Sequence, residues 1–241
     1  QYDDLVYPLG LPYQLAEAAH YRFDPDSIAY ALSPWAADVL QAAAQILAGT
    51  EARGALDTLW LLIAAGLIWQ MLVTLGVASG WRWLAVALFA SQPMSHALLH
   101  SMQTELPTAG VVLACAALLL DPGLVADPRR RLLVLAILAG FLLALKISTL
   151  AFLAPLAVWL LCSLRPLSVS AATLAVLVLA AVGGASYMCA WVLSGNPVLP
   201  FFNDVFGSPD FPPVRLIDVR FHGLMSWTAP FDLAIDSDRV S

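Results

Sequence analysis

The chain has 241 residues, of which 61% are hydrophobic and 12% charged; an average globular domain carries about 25% charged residues. With a mean hydropathy of +0.81, this balance excludes a disordered chain and an ordinary soluble enzyme. The 11 basic and 17 acidic residues leave a net charge of −6, so no broad basic surface exists for a nucleic acid.

A polytopic, all-α membrane protein remains. The chain opens at Gln1 into Tyr2-Asp3-Asp4, with no n-region or cleavage site, and the expectation is a first span lying upstream. Residues 1–53 hold no span of their own. Leu11, Leu15 and Ala18 fall on one face of a short helix. Ser33-Pro34 is a helix-start pair. After it Trp35, Val39, Ala43, Ile46 and Leu47 form an apolar stripe opposite Asp38, Gln41 and Gln45, and Gly49 ends the helix. Such helices lie in the membrane interface or pack against neighbouring spans.

A span takes about 20 apolar residues. Residues 55–79 meet this length, as do 83–102, interrupted by Gln92, Pro93 and His96. Residues 107–120 are shorter and open on Pro107, at a helix-start position. Residues 132–164 are too long for one span and read as a hairpin, 132–146 and 148–164, turning near Lys146-Ile147-Ser148. The last run, 167–194, stops at Gly195-Asn196-Pro197. The predicted architecture is a bundle of about six transmembrane helices over 54–194. An outer loop with two interfacial helices occupies 1–53, and a Pro- and aromatic-rich outer loop at 195–241 leads into a further C-terminal part.

Arg82, Arg129-Arg130-Arg131 and Arg165 then share one side, the cytoplasmic one by the distribution of basic residues. The opposite side receives most of the acids, including Asp3, Asp4, Glu105, Asp204, Asp210 and Asp218, together with the Lys146 turn. Cys115, Cys162 and Cys189 lie inside apolar runs and read as small core residues.

Ionisable groups at membrane depth are functional candidates. Lys146 is flanked by Leu142, Leu143, Leu145 and Ile147; it either snorkels to the interface or meets an anionic group such as a lipid phosphate. Glu105, between two apolar runs, is a loop acid, a charge favoured by the helix dipole, or a site carboxylate. Asp3 and Asp4 are interfacial acids or hold a general base. His96 and His100 are spaced i, i+4, for a packed or hydrogen-bonded role or for a metal shared with Glu105 or Asp3. Asp218 and Arg220 pair with each other or close the outer site. No Walker loop, dinucleotide fingerprint, nucleophile elbow, H-E-x-x-H or CxxC occurs.

Tyr2-Asp3-Asp4-Leu5-Val6-Tyr7, the two short helices, the Glu105 loop, Lys146 after an apolar run, and Gly195-Asn196-Pro197-Val198-Leu199-Pro200-Phe201 together resemble the polytopic GT-C glycosyltransferases. The likeness is to protein mannosyltransferase-like and aminoarabinose transferase-like bacterial membrane proteins. It implies a polyprenyl-phosphate sugar donor and inversion at the anomeric carbon. It also implies an acid at Asp3 or Asp4 acting as base or as acceptor or metal ligand, a second-loop acid at Glu105, and a span-end lysine at Lys146. The charge developing on a leaving phosphate calls for cations, for which Lys146 and Arg220 are the candidates. His100, Asn196 and Asp218 are candidates for touching substrate. The resemblance leaves room for a divalent cation, Mg or Mn. The chain departs from the pattern at Pro8, where many relatives carry His.

The expected function is transfer of a sugar from a polyprenyl-phosphate donor to a glycan, lipid or protein acceptor of the cell envelope. The expected setting is the outer side of a bacterial inner membrane, with the lipid bilayer as partner and no nucleic acid. The alternatives are a non-catalytic membrane scaffold of the same fold and a transporter or flippase. A transporter needs polar residues through both leaflets, whereas only Gln70, Gln92 and a few hydroxyls lie deep.

Overall fold

The computed structural model describes residues 14, 20, 32–99, 104–163 and 168–214, and every regular element among them is helical. Helix α1 (Ala36–Ala48) carries the amphipathic stripe and ends at Gly49, whose φ of 66° suits glycine. Helix α2 (Arg53–Thr74) has 22 residues. The next apolar run is divided into α3 (Ser79–Ala90) and α4 (Pro93–Leu98). Gln92 is extended there, with ψ 135°, as a residue before proline prefers. Helix α5 (Glu105–Leu120) is followed by α6 (Pro128–Leu145). Lys146 then breaks the helix in an extended conformation, φ −166° and ψ 139°. A 3-10 turn, Ile147–Thr149, leads into α7 (Leu150–Ser163). Helices α8 (Val169–Gly183) and α9 (Ala185–Ser194) meet at a 59° bend. The short α10 (Asn203–Phe206) follows.

Contacts fix the direction of each leg. Gly110 on α5 lies against Trp60 and Ile63 of α2, and the Thr74 hydroxyl reaches Asp121 Oδ2 at 3.5 Å, so α2 and α5 run parallel. Leu132 and Ala136 of α6 cluster with Ala171 and Ala175 of α8, and Gly140 faces Leu179 and Gly183, so α6 and α8 also run parallel. Between them α7 returns. Leu160 near its end packs against the Leu132–Ala136 cluster, whereas Lys146, just before it, is bonded to Glu105 at the start of α5. The 132–164 run is therefore a hairpin.

The α6–α8 seam is built from residues four apart: Leu132, Ala136 and Gly140 against Ala171, Ala175, Leu179 and Gly183. A Cβ on Gly140 would stand 2.7 Å from the Leu179 carbonyl oxygen and 2.9 Å from Val182 Cβ. Small residues at this spacing let two helix backbones touch. The main apolar core lies beside the seam, where Val111, Cys115, Leu118 and Leu119 of α5 meet Leu135, Leu142 and Leu145 of α6 and Ala37 of α1.

Elsewhere the apolar surface is uncovered. Helix α7 is apolar from Leu150 to Cys162 and has no buried residue, and α3 has none either. Only Asp57 and Ala64 of α2 are buried. Among the described residues α2 is long and apolar enough to cross a membrane, and the α8–α9 pair makes a second when counted as one. The element lengths thus fall short of the six full spans expected from hydropathy. Pro93 splits the second run, three arginines open α6, and Lys146 ends it. Hydropathy averaged along a run does not register these interruptions.

Candidate functional site

The start of α5 and the break after α6 meet at one end of the bundle. Helix α6 stops where Ile147, Ser148 and Thr149 follow Lys146, residue types that disfavour helix continuation through branching or competing hydroxyl hydrogen bonds. The carbonyls stranded by the break are satisfied individually. The Leu142 carbonyl accepts from the Lys146 backbone N–H at 3.3 Å and from the buried Thr149 hydroxyl at 2.8 Å. That hydroxyl also lies 2.7 Å from the Lys146 carbonyl. The Leu143 carbonyl accepts from the Tyr187 hydroxyl of α9 at 2.8 Å. The backbone at Lys146 is thus held from two directions, and its side chain projects into a groove.

The groove encloses about 620 Å³, within the range of small-molecule sites. Ile68 of α2, Phe89 of α3, Val112 and Leu113 of α5 and Phe152 of α7 give it apolar walls. Thr104, Glu105, Thr108, Lys146, Ser148 and Thr149 also line it. Lys146 Nζ donates to Glu105 Oε1 at 3.3 Å, the two side chains being 53% and 36% exposed. Glu105 Oε2 is buried without a hydrogen-bond partner among the described residues. Glu105 is the first residue of α5, where the helix dipole favours a negative charge.

Of the sequence candidates, the structure therefore brings Glu105 and Lys146 together. Asp3, Asp4, His100, Asp218 and Arg220 lie outside the described residues. Asn196 is placed apart from the groove. It is fully buried, its Nδ2 donates to the Phe201 carbonyl at 3.0 Å and to Asn203 Oδ1 at 3.2 Å, and its Oδ1 accepts from the Val198 N–H at 3.0 Å. Asn203, equally buried, accepts from Ser208 N–H at 2.8 Å and reaches the Phe211 carbonyl at 2.8 Å. These amides tie the 196–212 segment into a knot, and Asn196 has no surface left for a substrate.

Asp57 escaped the sequence reading. It lies in the second turn of α2, 1% exposed, in a small pocket with Gln41 of α1, Trp60 and Pro107. The signal was present: an acid two residues into a run counted as a span. Asp38 of α1 is half-buried, and burial pushes its carboxyl up to about 7. At the opposite end of the bundle the Arg82 guanidinium lies 4.8 Å over the Trp69 ring, and Arg129, Arg130 and Arg131 open α6.

For a divalent cation, no group of three or more His, Cys, Asp or Glu side chains stands together among the described residues. Glu105 offers one oxygen to Lys146 and keeps the other buried. The described residues alone do not compose a ligand set. No known protein family, curated protein or solved structure matches the chain.

Proposed function

We propose that the chain is a membrane-embedded glycosyltransferase of the GT-C kind. It would take a sugar from a polyprenyl-phosphate donor and pass it, with inversion, to an acceptor of the bacterial cell envelope. The observation that carries this reading is the Glu105–Lys146 pair on an otherwise largely apolar groove. A polyprenyl-phosphate sugar has the matching form, an anionic phosphate on a long apolar chain.

Two features of the fold support a bilayer setting. The helices α3 and α7 are apolar yet unburied, the pattern of surfaces solvated by lipid. Of the described arginines, Arg82 and Arg129–Arg131 lie at the end away from the groove, while Arg53, paired with Glu51, opens α2 at the groove end; this excess agrees with positive-inside sorting if the groove opens outward, to the periplasm. The full six-span reading belongs to this proposal: the six legs α2, α3–α4, α5, α6, α7 and α8–α9 alternate in direction, the shorter ones crossing with local thinning of the bilayer.

In the proposed reaction an acceptor hydroxyl attacks the anomeric carbon while a carboxylate, Glu105 or one of Asp3 and Asp4, takes its proton. The bond from the anomeric carbon to the phosphate oxygen breaks, and its electron pair leaves with the polyprenyl phosphate. Lys146, with Arg220 as the second cation of the reading, offsets the developing charge. The test is transfer of labelled hexose from polyprenyl-phosphate hexose to envelope lipids by the chain in proteoliposomes. Transfer is expected with the wild type and is lost in Lys146→Ala. Absence of transfer by the wild type, or full activity of Lys146→Ala, would overturn the assignment.

A further inference from the structure

We propose that the Glu105–Lys146 ion pair is an exchangeable lock: the phosphate of a prenyl-chain lipid takes Lys146 from Glu105, so that the carboxylate is released only once the lipid is bound. This inference rests on the donor reading above and adds an order of binding to it.

The pair has the properties of a contact made to be exchanged. It consists of one Nζ–Oε1 contact at 3.3 Å, longer than the roughly 2.7–2.9 Å of a strong charge-assisted bond. Both side chains reach solvent, so the contact is weak. The two charges belong to separately braced elements. Glu105 starts α5, which lies along α2. Lys146 sits on a corner whose backbone is fixed by Thr149 and Tyr187. Only the flexible four-carbon stem of the lysine has to move for the partner to change.

Charge in the groove supplies the reason for exchange. Lys146 is the one cationic residue among its described lining residues, and Glu105 the one anionic residue. A phosphate approaching Lys146 meets the Glu105 carboxylate first in line for the same ammonium. Taking the lysine removes that competitor and leaves Glu105 with both oxygens unpaired, since Oε2 has no hydrogen-bond partner among the described residues. A carboxylate bonded to a lysine is a poor proton acceptor, whereas a released one is available to an acceptor hydroxyl. Lipid before acceptor is the order this dictates.

The test is titration of the purified chain in detergent with farnesyl phosphate, alongside farnesol and inorganic phosphate. Farnesyl phosphate is expected to bind and the other two to bind far more weakly. Lys146→Ala should weaken farnesyl phosphate at least about tenfold, as loss of a charged hydrogen-bond partner does. Glu105→Gln should tighten it about two- to fivefold, the range that breaking an exposed ion pair covers. Glu105→Asp is the deciding variant. It keeps the negative charge but shortens the side chain by one methylene, opening the contact, so the lock predicts tightening there too. Unchanged or weaker binding in Glu105→Asp overturns the lock while leaving the donor reading standing. Equal binding of inorganic phosphate overturns the commitment to a prenyl lipid. Absence of farnesyl phosphate binding by the wild type overturns both.

Discussion

The α6–α8 seam, which runs from the arginine end of α6 toward Lys146, and the groove in front of α5 are both helix surfaces, yet one is closed and the other open. In the seam, Gly140 and Gly183 remove side chains so that two backbones touch. In the groove, Phe89, Leu113 and Phe152 stand apart around a space of about 620 Å³. The contrast teaches where this chain concentrates rigidity. Side-chain volume is withdrawn behind Lys146 and the helix break, and the space is left in front of them.

Breaking the closed side should have the largest effect. Gly140→Val places a branched side chain against the Leu179 carbonyl and Val182. Overpacking against backbone costs about 3 kcal/mol or more, read as a fall in the thermal midpoint of the chain in detergent. Next comes a pH effect outside both regions. The Asp38 carboxyl titrates near 7 in the folded chain, above its ordinary 3.8, so the folded state holds the proton more tightly than the unfolded one. Stability from this group is fully present below about pH 4 and is lost as the pH rises through about 7. Asp38→Asn should flatten that decline in the thermal midpoint; an unchanged slope would refute the assignment.

Smaller effects probe the border between the two regions. Thr149→Val removes the hydroxyl bond that braces the Lys146 corner and should cost about 1 kcal/mol, measured by denaturation, because the Leu142 carbonyl keeps its bond from the Lys146 N–H. Ala109→Phe adds volume to the groove wall. Its stability change should stay within about 0.5 kcal/mol, while farnesyl phosphate binding is lost. A large destabilisation there would mean that the groove is packed space.

Local signals were legible in the sequence. The amphipathic α1, its stop at Gly49, the break at Lys146 and the hairpin after it follow from periodicity, backbone preferences and run length. The nearness of Glu105 and Lys146 was legible only as a shared end of the bundle; their contact depends on how α5 lies against the corner. The interruption at Pro93 is visible in the sequence, but not that it leaves two helices each too short to span. Asn196 resembled a family motif and proved to be committed to its neighbours through turns that the sequence does not display. Asp57 stands near the start of an apolar run, and its burial depends on how α1 and Pro107 cover it.

The two parallel helix pairs have a consequence for motion. Glu105 sits on the α2–α5 pair and Lys146 on the α6–α8 pair, and the main core of α5 and α6 lies between the two pairs. A slide of one pair past the other by a single helical residue, about 1.5 Å, would shear that core and change this contact with it. The ion pair is therefore a natural vernier, and a distance probe across positions 105 and 146 would read displacement of the two helix pairs directly.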